Sequence, residues 1–590
     1  MNPKERLTRQ SLQNLKSDEV KKRIEAVKHL TLIAEGFGVN RTLKHLLPFI
    51  KEYENEDEEV LLELARQLYH LGKYVSSKKD GVVQLVPYFY ILLSYEDLSV
   101  INAGMANLSK LMKELLGCHE ILFVLVKKLC SLGYPKALIS AARIYCELHE
   151  YMPSKYFSQF KKILAECIKS QAAVVRKETA VTLRHVFKDG NPLETAALGG
   201  LQSLLEDKLD TVKVHALESL MANEHSTEFF MKHVYPLVVK SSEFRNWRIR
   251  YVIAKSLPKL LASSSEEARL KFVEIYLKLV EDQELEVAEQ AIINLRTSAT
   301  IIGPTILDEQ FLPVLSKLAA GETPELKVAV AGSVLYFAPV FGKAHAIEKI
   351  KGILLTLLQD GDSEVKVQLL KHHQPLGDVI SIANLINLLN PVMKQLLVDK
   401  EWKVRDKNIE AYEIYLSKLG ENFCSAENIL EDLRNSLRDR VYIIRRKFIA
   451  LIAVLCKRFG QAWSEKHAAA IFRSFAKHPN YLLRLNYLFG LSEIFGYLGD
   501  GFLMNELEKA CKLANDKVGN VRYNLLLLLL RVYMKGKDER VMGLLLKVCK
   551  VLEEDEDGDV KLVVSRVKVG STQKVDLGEL IEDKTKMNLV

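Results

Sequence analysis

Two acidic runs come nearest to a chemical site in this chain of 590 residues. Asp360-Gly361-Asp362-Ser363-Glu364 and Asp555-Glu556-Asp557-Gly558-Asp559 alternate carboxylates as a calcium-binding loop does. Such a loop needs glycine at its sixth position for a sharp turn and a bidentate glutamate at its twelfth. Here the sixth is Val365 or Val560 and the twelfth Lys371 or Arg566, so both runs read as turn carboxylates. His372 and His373 are adjacent and diverge around a helix, and no H-E-x-x-H spacing occurs. Gly499-Asp500-Gly501 has no phosphate-loop continuation, and nothing marks the nucleophile of a serine–histidine–acid arrangement. The eight cysteines (Cys118, Cys130, Cys146, Cys167, Cys424, Cys456, Cys511 and Cys549) form no C-x-x-C pair and sit singly in helical patterns, as reduced thiols in a core do. No metal, cofactor or catalysis is expected.

Adhesive side chains are better placed. Trp247, Trp402, Tyr442 and Tyr481 each stand two residues before a recurring apolar position. That position is Val20, Val60, Val100, Ala137, Val175, Val212, Ile249, Val287, Val328, Val365, Val404, Ile444, Leu483, Val521 and Val560, at steps of 37 to 41 residues. Most other repeats hold a small, acidic or aliphatic residue in the aromatic place, such as Asp18, Glu58, Ala173, Asp210 and Ser363. Trp402, Tyr442 and Tyr481 belong to consecutive repeats, so stacking would align them on one edge. An exposed tryptophan on a turn can anchor another protein. The competing structural reading lays each ring over the aliphatic stem of the adjacent turn's Arg or Lys.

The elements that position them follow from the period. In residues 383 to 420, Leu385, Ile386, Leu388, Leu389, Val392, Met393 and Leu396 form one apolar helical stripe. A short turn, Asp399 to Trp402, leads to a second helix that ends at Gly420 and turns Val404, Ile409, Tyr412 and Leu416 inward. Neither helix can bury its face alone, so a period of this length implies stacked helix pairs. The expected fold is all-α: an α-solenoid of about fifteen stacked helix-pair repeats running to residue 562, with 563–590 a divergent tail or cap. Val563-Val564-Ser565-Arg566-Val567-Lys568-Val569 in that tail alternates like a strand. Pro304, Pro313 and Pro391 fall where helices begin or bend. In ten of fifteen repeats a Lys or Arg follows the apolar mark. It is expected to meet a carboxylate of its own turn or of the preceding repeat, as a ladder that sets register.

Composition restricts the partners. The net charge of +8, from 83 basic and 75 acidic residues, is diluted by acidic runs at Glu54–Glu59 and Glu553–Asp559, so no nucleic-acid footprint is expected. Leu525–Leu530 is broken by Arg531, and no apolar run approaches a membrane span. The start, Met1-Asn2-Pro3-Lys4-Glu5-Arg6, lacks a signal-peptide core. The expectation is a soluble protein of the cytoplasm, with the nucleus as a second compartment.

Several turns carry a more specific resemblance. Glu56-Asp57-Glu58-Glu59-Val60-Leu61-Leu62, preceded by His45-Leu46-Leu47-Pro48-Phe49, resembles the second HEAT repeat of the protein phosphatase 2A scaffold (A) subunit family. Asn246-Trp247-Arg248-Ile249-Arg250, Glu401-Trp402-Lys403-Val404-Arg405, Asp439-Arg440-Val441-Tyr442-Ile443-Ile444-Arg445, Phe459-Gly460-Gln461-Ala462-Trp463, Pro479-Asn480-Tyr481-Leu482 and Asn520-Val521-Arg522-Tyr523-Asn524 follow in the family's order. The resemblance implies a superhelical, horseshoe-shaped, non-catalytic scaffold with two docking surfaces. Repeats 11 to 15, about residues 383–562, would bind the phosphatase catalytic subunit through Trp402, Lys403, Arg440, Tyr442, Pro479, Asn480, Tyr481, Asp516 and Arg522. Repeats 1 to 8, about residues 8–302, would bind variable regulatory (B-type) subunits through Glu58, Glu59, Glu96, Asp97, Lys177, Trp247 and Arg248. Departures occur at Gln171 to Lys177, where the family shows Asp-Thr-Pro and paired arginines, and at Ile101 and Leu138, which replace the basic residue. The alternative is another HEAT scaffold, such as a nuclear transport receptor or coat adaptor.

Overall fold

The computed structural model describes residues 3–572 except 52–55, 78–80, 115–119, 153 and 189, and the described residues contain helices and no strand. Cys118 and residues 573–590 lie outside the described residues. The chain forms two compact units, Met1–Asn294 and Leu295–Val590.

Unit 1 is a stack of packed helix pairs whose second helices are Val20–Lys28, Glu58–Val75, Leu98–Glu114, Pro135–Glu147, Ala173–Leu183, Asp210–Leu220 and Trp247–Ser263. Unit 2 repeats the plan with second helices Pro324–Ser333, Ser363–Lys371, Trp402–Leu416, Tyr442–Phe459, Tyr481–Ile494, Gly519–Gly536 and Gly558–Thr572. The Leu285–Ile302 helix, which carries the mark Val287, contains the division. Within each unit, second helices of successive repeats pack side by side. This is an all-α solenoid.

The reason for burial is the same in every repeat: one stripe per helix is apolar and closes on the next pair. Thirteen of the fifteen marks are buried, none more than 6% exposed, which confirms the period as a core signal. Val20 and Val328 are only half-buried, so the register there is two residues off. In those repeats Arg23 and Lys327 take the place of the corner base.

First helices carry a second regularity. Wide π turns occupy Thr42–Leu46, Phe230–Val234, Leu307–Phe311, Leu385–Leu389 and Ser464–Ala468, and all but the last run into a helix with proline in its first turn. Proline has no N–H and crowds the preceding carbonyls, which a widened turn accommodates. Pro304 likewise opens a helix, at Pro304–Ile306. By length and hydropathy the helical run 324–358 matches a membrane span. It is divided, however, by a 3₁₀ turn at Val334–Phe337 and by Gly342 at φ 73°, so it is not one straight helix.

The tail reading needs correcting. Gly558–Thr572 is a helix, and Val560, Val563, Val564 and Val567 are buried at helical spacing. The valine alternation resembles a strand because two residues of the buried helical stripe, Val563 and Val567, fall at odd positions. Asp557 accepts the N–H of Asp559 and starts the helix.

The corner ladder also runs differently from expectation. Seven corner bases reach forward, to the carboxylate of the following repeat, at Arg176–Asp207, Arg250–Asp282, Lys327–Asp360, Lys366–Asp399, Arg405–Asp439, Arg484–Asp516 and Arg522–Asp555. Only Lys213 pairs within its own turn, with Asp210 at 3.2 Å. Arg484 shows the full clasp. Its Nη1 donates to the carbonyls of His478 and Pro479 in its own corner at 2.8 and 2.9 Å. Its Nε and Nη2 close a fork on Asp516 at 2.6 and 2.8 Å. The same Asp516 accepts the N–H of Val518 at 2.9 Å, folding its own turn. The fork is short, charge-assisted and bidentate, the geometry in which an ion pair fixes position.

A pH dependence follows. The Arg522 fork holds the Asp555 carboxyl below its ordinary range. At Asp207, Asp282, Asp360 and Asp516 burial pulls upward but is outweighed by the base and by the N–H two residues on, leaving these carboxyls lowered too. A depressed folded pKa contributes stability that is present above the unfolded value of about 3.9 and lost as pH falls through the folded value. The urea midpoint is therefore expected to fall steeply below about pH 4, and less steeply in an Asp516→Asn, Asp555→Asn double variant. Equal slopes for the two proteins would remove the ladder from the acid response.

Candidate functional site

In unit 2 the corners between first and second helices present Trp402, Tyr442 and Tyr481, each the first residue of its second helix. A residue there precedes the buried mark by two positions and so turns away from the core. The rings are 42%, 39% and 40% exposed. Among the described residues no ring or cation stacks on Trp402, whereas the Arg445 guanidinium lies 5.7 Å from the Tyr442 ring centre. The cation beside Tyr442 thus comes from its own helix, three residues on, and not from the adjacent turn as the alternative expected.

Two clefts join these corners. A larger one, of about 640 Å³, is lined by Trp402, Val398, Lys400, Arg438 and Arg440 among others. Val398 is 81% exposed, the most exposed large apolar side chain of the described residues. Lys400, Arg438 and Arg440 are exposed at its rim, while Asp432 is neutralised by Lys394 at 2.6 Å and Asp439 by Arg405 at 2.6 Å. A smaller cleft, of about 200 Å³, is shared by Tyr442, Tyr481, Asn520 and Arg445. The edge therefore has an apolar and aromatic floor with a basic rim. It suits a protein segment carrying apolar anchors and acidic neighbours.

Other residues that the resemblance assigned to this surface divide by what they touch. Lys403 is exposed beside Trp402, and Pro479 is exposed while its carbonyl accepts from Arg484. Asn480 caps the Tyr481 helix, its side-chain oxygen accepting the Leu482 N–H at 2.9 Å. Asp516 and Arg522 are used inside the ladder, with side chains only 5% and 13% exposed and with Arg484 and Asp555 as partners. Val398 and Ile443, both exposed on the same corners, were missed by the sequence reading. Their signal was an aliphatic residue directly before a corner acid, or directly after a corner aromatic.

In unit 1 the corner residues form separate groups. Ser99 Oγ donates to Glu58 Oε1 at 3.1 Å and its N–H to Asp97 at 2.6 Å, which draws two successive corners into one acidic patch with exposed Glu59 and Glu96. The Ser99 hydroxyl and N–H hold the Asp97 carboxyl below its usual range. Lys177 is half-buried on the Ala173–Leu183 helix, on a different corner. Trp247 is half-buried, with the Arg248 guanidinium 4.7 Å from its ring centre and Tyr251 edge-on at 6.4 Å. Asn246 fixes that corner by accepting the Arg248 N–H and donating to Asp210 at 2.8 Å.

The carboxylates and histidines singled out in the sequence have structural partners. Asp360 and Asp555 are ladder acceptors, as turn carboxylates should be, and Asp362 caps a helix through the Glu364 N–H. His372 faces Tyr336 and His373 the Leu370 carbonyl, so the two rings diverge. Among the described residues no cluster of His, Cys, Asp or Glu could hold a metal ion. Burial raises the thiols of Cys424, Cys456 and Cys511 to about 11, well away from a reactive thiolate.

Comparison with known proteins adds three findings. The family model for the middle domain of PIK3R4-like proteins matches residues 201–488. The chain is similar to the A-type regulatory subunit of protein phosphatase PP2A from Schizosaccharomyces pombe, 26% identical over 270 residues, which cover 42% of this chain and 43% of that protein. It is also similar to the protein of the same name in Saccharomyces cerevisiae, 27% identical over 279 residues, 43% of this chain and 42% of that one. The chain thus spans less than half the length of these curated relatives in the matched regions. Among solved structures, Kap121p bound to RanGTP superposes with a TM-score of 0.61 at 15% identity, covering 94% of this chain and 58% of that one. Kap95p, in a complex with RanGDP, gives 0.56 at 12% identity, covering 100% and 75%. These likenesses support a HEAT-type scaffold resembling the PP2A scaffold proteins, and those to solved structures speak to the fold alone.

Proposed function

We propose that this chain is a non-catalytic scaffold that holds a serine/threonine phosphatase catalytic subunit on its unit 2 corners and a variable regulatory subunit on its unit 1 corners. The observation that carries the reading is the edge formed by Trp402, Tyr442 and Tyr481, exposed on three successive corners and joined by clefts, the larger with a basic rim. The relatives named as A-type PP2A regulatory subunits support the choice of partner. A scaffold accelerates nothing by chemistry. It keeps enzyme and substrate-selecting subunit on one chain, so that their encounter has the effective concentration of a tethered pair.

Affinity purification of the full chain from its own cells tests the reading: a metal-dependent serine/threonine phosphatase should co-purify in near-equal amount. Recovery of a small GTPase with no phosphatase would favour the transport-receptor alternative. The regulatory surface has its own expected outcome. Trp247→Ala should lower regulatory-subunit capture by about tenfold, a loss of roughly 1.4 kcal/mol, and leave catalytic-subunit capture unchanged. The effect is smaller than for a fully open tryptophan because Arg248 and Tyr251 already cover part of the ring.

A further inference from the structure

The corner ladder of unit 2 has one gap. In Arg405, Arg484 and Arg522 the guanidinium is used twice, once on the carbonyls of its own corner and once in a fork on the next corner's aspartate. Arg445 makes only the first set, donating Nη1 to the carbonyls of Asp439 and Arg440 at 2.8 and 3.1 Å. Where the next corner should offer aspartate it has His478. The His478 Nδ1 accepts the Asn480 N–H at 3.1 Å, reproducing the aspartate's turn-forming role without its charge.

The result is a buried cation with an idle donor. Arg445 is 4% exposed and its Nε has no hydrogen-bond partner. Arg484 and Arg522 have their pKa raised by their aspartates, while burial lowers that of Arg445. The same arginine lines the cleft of about 200 Å³ between Tyr442 and Tyr481, with Asn486, Asn520 and Asn524 around it. Water occupies about 30 Å³ per molecule, so this space admits one small acidic side chain. A buried cation left unpaired is costly, and a carboxylate in fork geometry offsets that cost best.

We infer that the Tyr442–Tyr481 cleft is the seat of a carboxylate supplied in trans, an Asp or Glu side chain from an acidic segment of the docked protein. It would give the Arg445 Nε the acceptor that Asp439 and Asp516 give the neighbouring arginines. The basic rim of Lys400, Arg438 and Arg440 on the adjoining corners gives the same segment its charge complement. The inference rests on the reading that this edge docks a protein.

The variant His478→Asp tests it by closing the gap from within. The probe is the blocked pentapeptide acetyl-Gly-Leu-Asp-Leu-Gly-amide beside its Asp→Asn twin, titrated into the full chain. Wild type should bind the acidic peptide at least tenfold more tightly than the twin. His478→Asp should lose at least fivefold of that preference while unfolding at a higher temperature than wild type, since the ladder is then complete. Equal binding of the twins to wild type, no binding of either, or an undiminished preference in His478→Asp would overturn the inference. So would inorganic phosphate that competes fully with the acidic peptide at equal concentration, which would assign the cleft to a free anion. Capture of the phosphatase catalytic subunit by Trp402→Ala separates the two levels. If that variant loses capture but the peptides do not discriminate, the docking reading stands and the carboxylate seat falls. If capture is unchanged and the peptides discriminate, the reverse holds.

Discussion

Replacing Trp402 by alanine is expected to weaken catalytic-subunit binding by about thirtyfold, or roughly 2 kcal/mol, with helical content and regulatory-subunit capture unchanged. Several features make this the most sensitive position of the edge. The indole is 42% exposed without a stacking partner among the described residues, so its apolar area is available to be covered by another protein. It opens onto the larger cleft of this edge, with Val398 contributing a second apolar face and Arg440 a charge. A partly covered ring such as Trp247 has already gained its cation–π contact and has less to gain on docking. Because Trp402 points out of the stack, truncating it removes no core contact, and the thermal midpoint should stay within about 1 °C, as for surface substitutions away from structural features. Equilibrium binding of purified catalytic subunit by titration calorimetry measures the effect. A change of less than threefold would mean that the phosphatase does not sit on this edge.

Gly490→Ala is expected to destabilise unit 2 by about 1–3 kcal/mol, against the usual sign for such a change in a helix. Glycine in a helix interior normally costs about 1 kcal/mol relative to alanine, so alanine there should help. At Gly490 the added Cβ would come within 2.3 Å of ring atoms of Phe472, a fully buried side chain of the paired first helix. Overpacking wins over propensity. Gly352 is the internal control: it is helical, exposed, and has nothing within 4 Å of an added methyl, so Gly352→Ala should stabilise by about 0.5–1 kcal/mol. Urea midpoints of the two variants should move in opposite directions. The Gly490 variant should also weaken docking at Tyr481, because the helix that must shift begins with that residue.

How much of this could be read from the chain depended on how local the cause was. The buried marks were legible because a stacked repeat obtains its core from neighbours at fixed separation, so Val404 or Val521 repeats the situation of Val60. Val20 and Val328 misled because another residue nearby carried the register, with Arg23 and Lys327 as the bases of those corners. Corner exposure was legible too: Trp402, Tyr442 and Tyr481 begin their helices as the spacing implied. The direction of the ladder was not, since the sequence does not tell own-turn from cross-repeat acids and only the stacked geometry decides that Arg405 meets Asp439. Yet the gap had a visible trace. Asp207, Asp360, Asp399, Asp439, Asp516 and Asp555 each stand six residues before a Lys or Arg, and His478 alone breaks that run in the later repeats.

The forward reach of the corner bases gives the chain an unusual freedom to change length. Blocks cut at equivalent corner positions each carry at most one acceptor at the start and one donor six residues on, so whole blocks are interchangeable parts. Excising residues 399–438 would hand Lys366 the carboxylate of Asp439 in place of Asp399. Excising 478–515 would hand Arg445 that of Asp516 and leave no cation waiting for a guest. Duplication or loss of repeats can thus move, copy or erase the docking seat in one step, while a deletion of half a block would mismatch every clasp it touches.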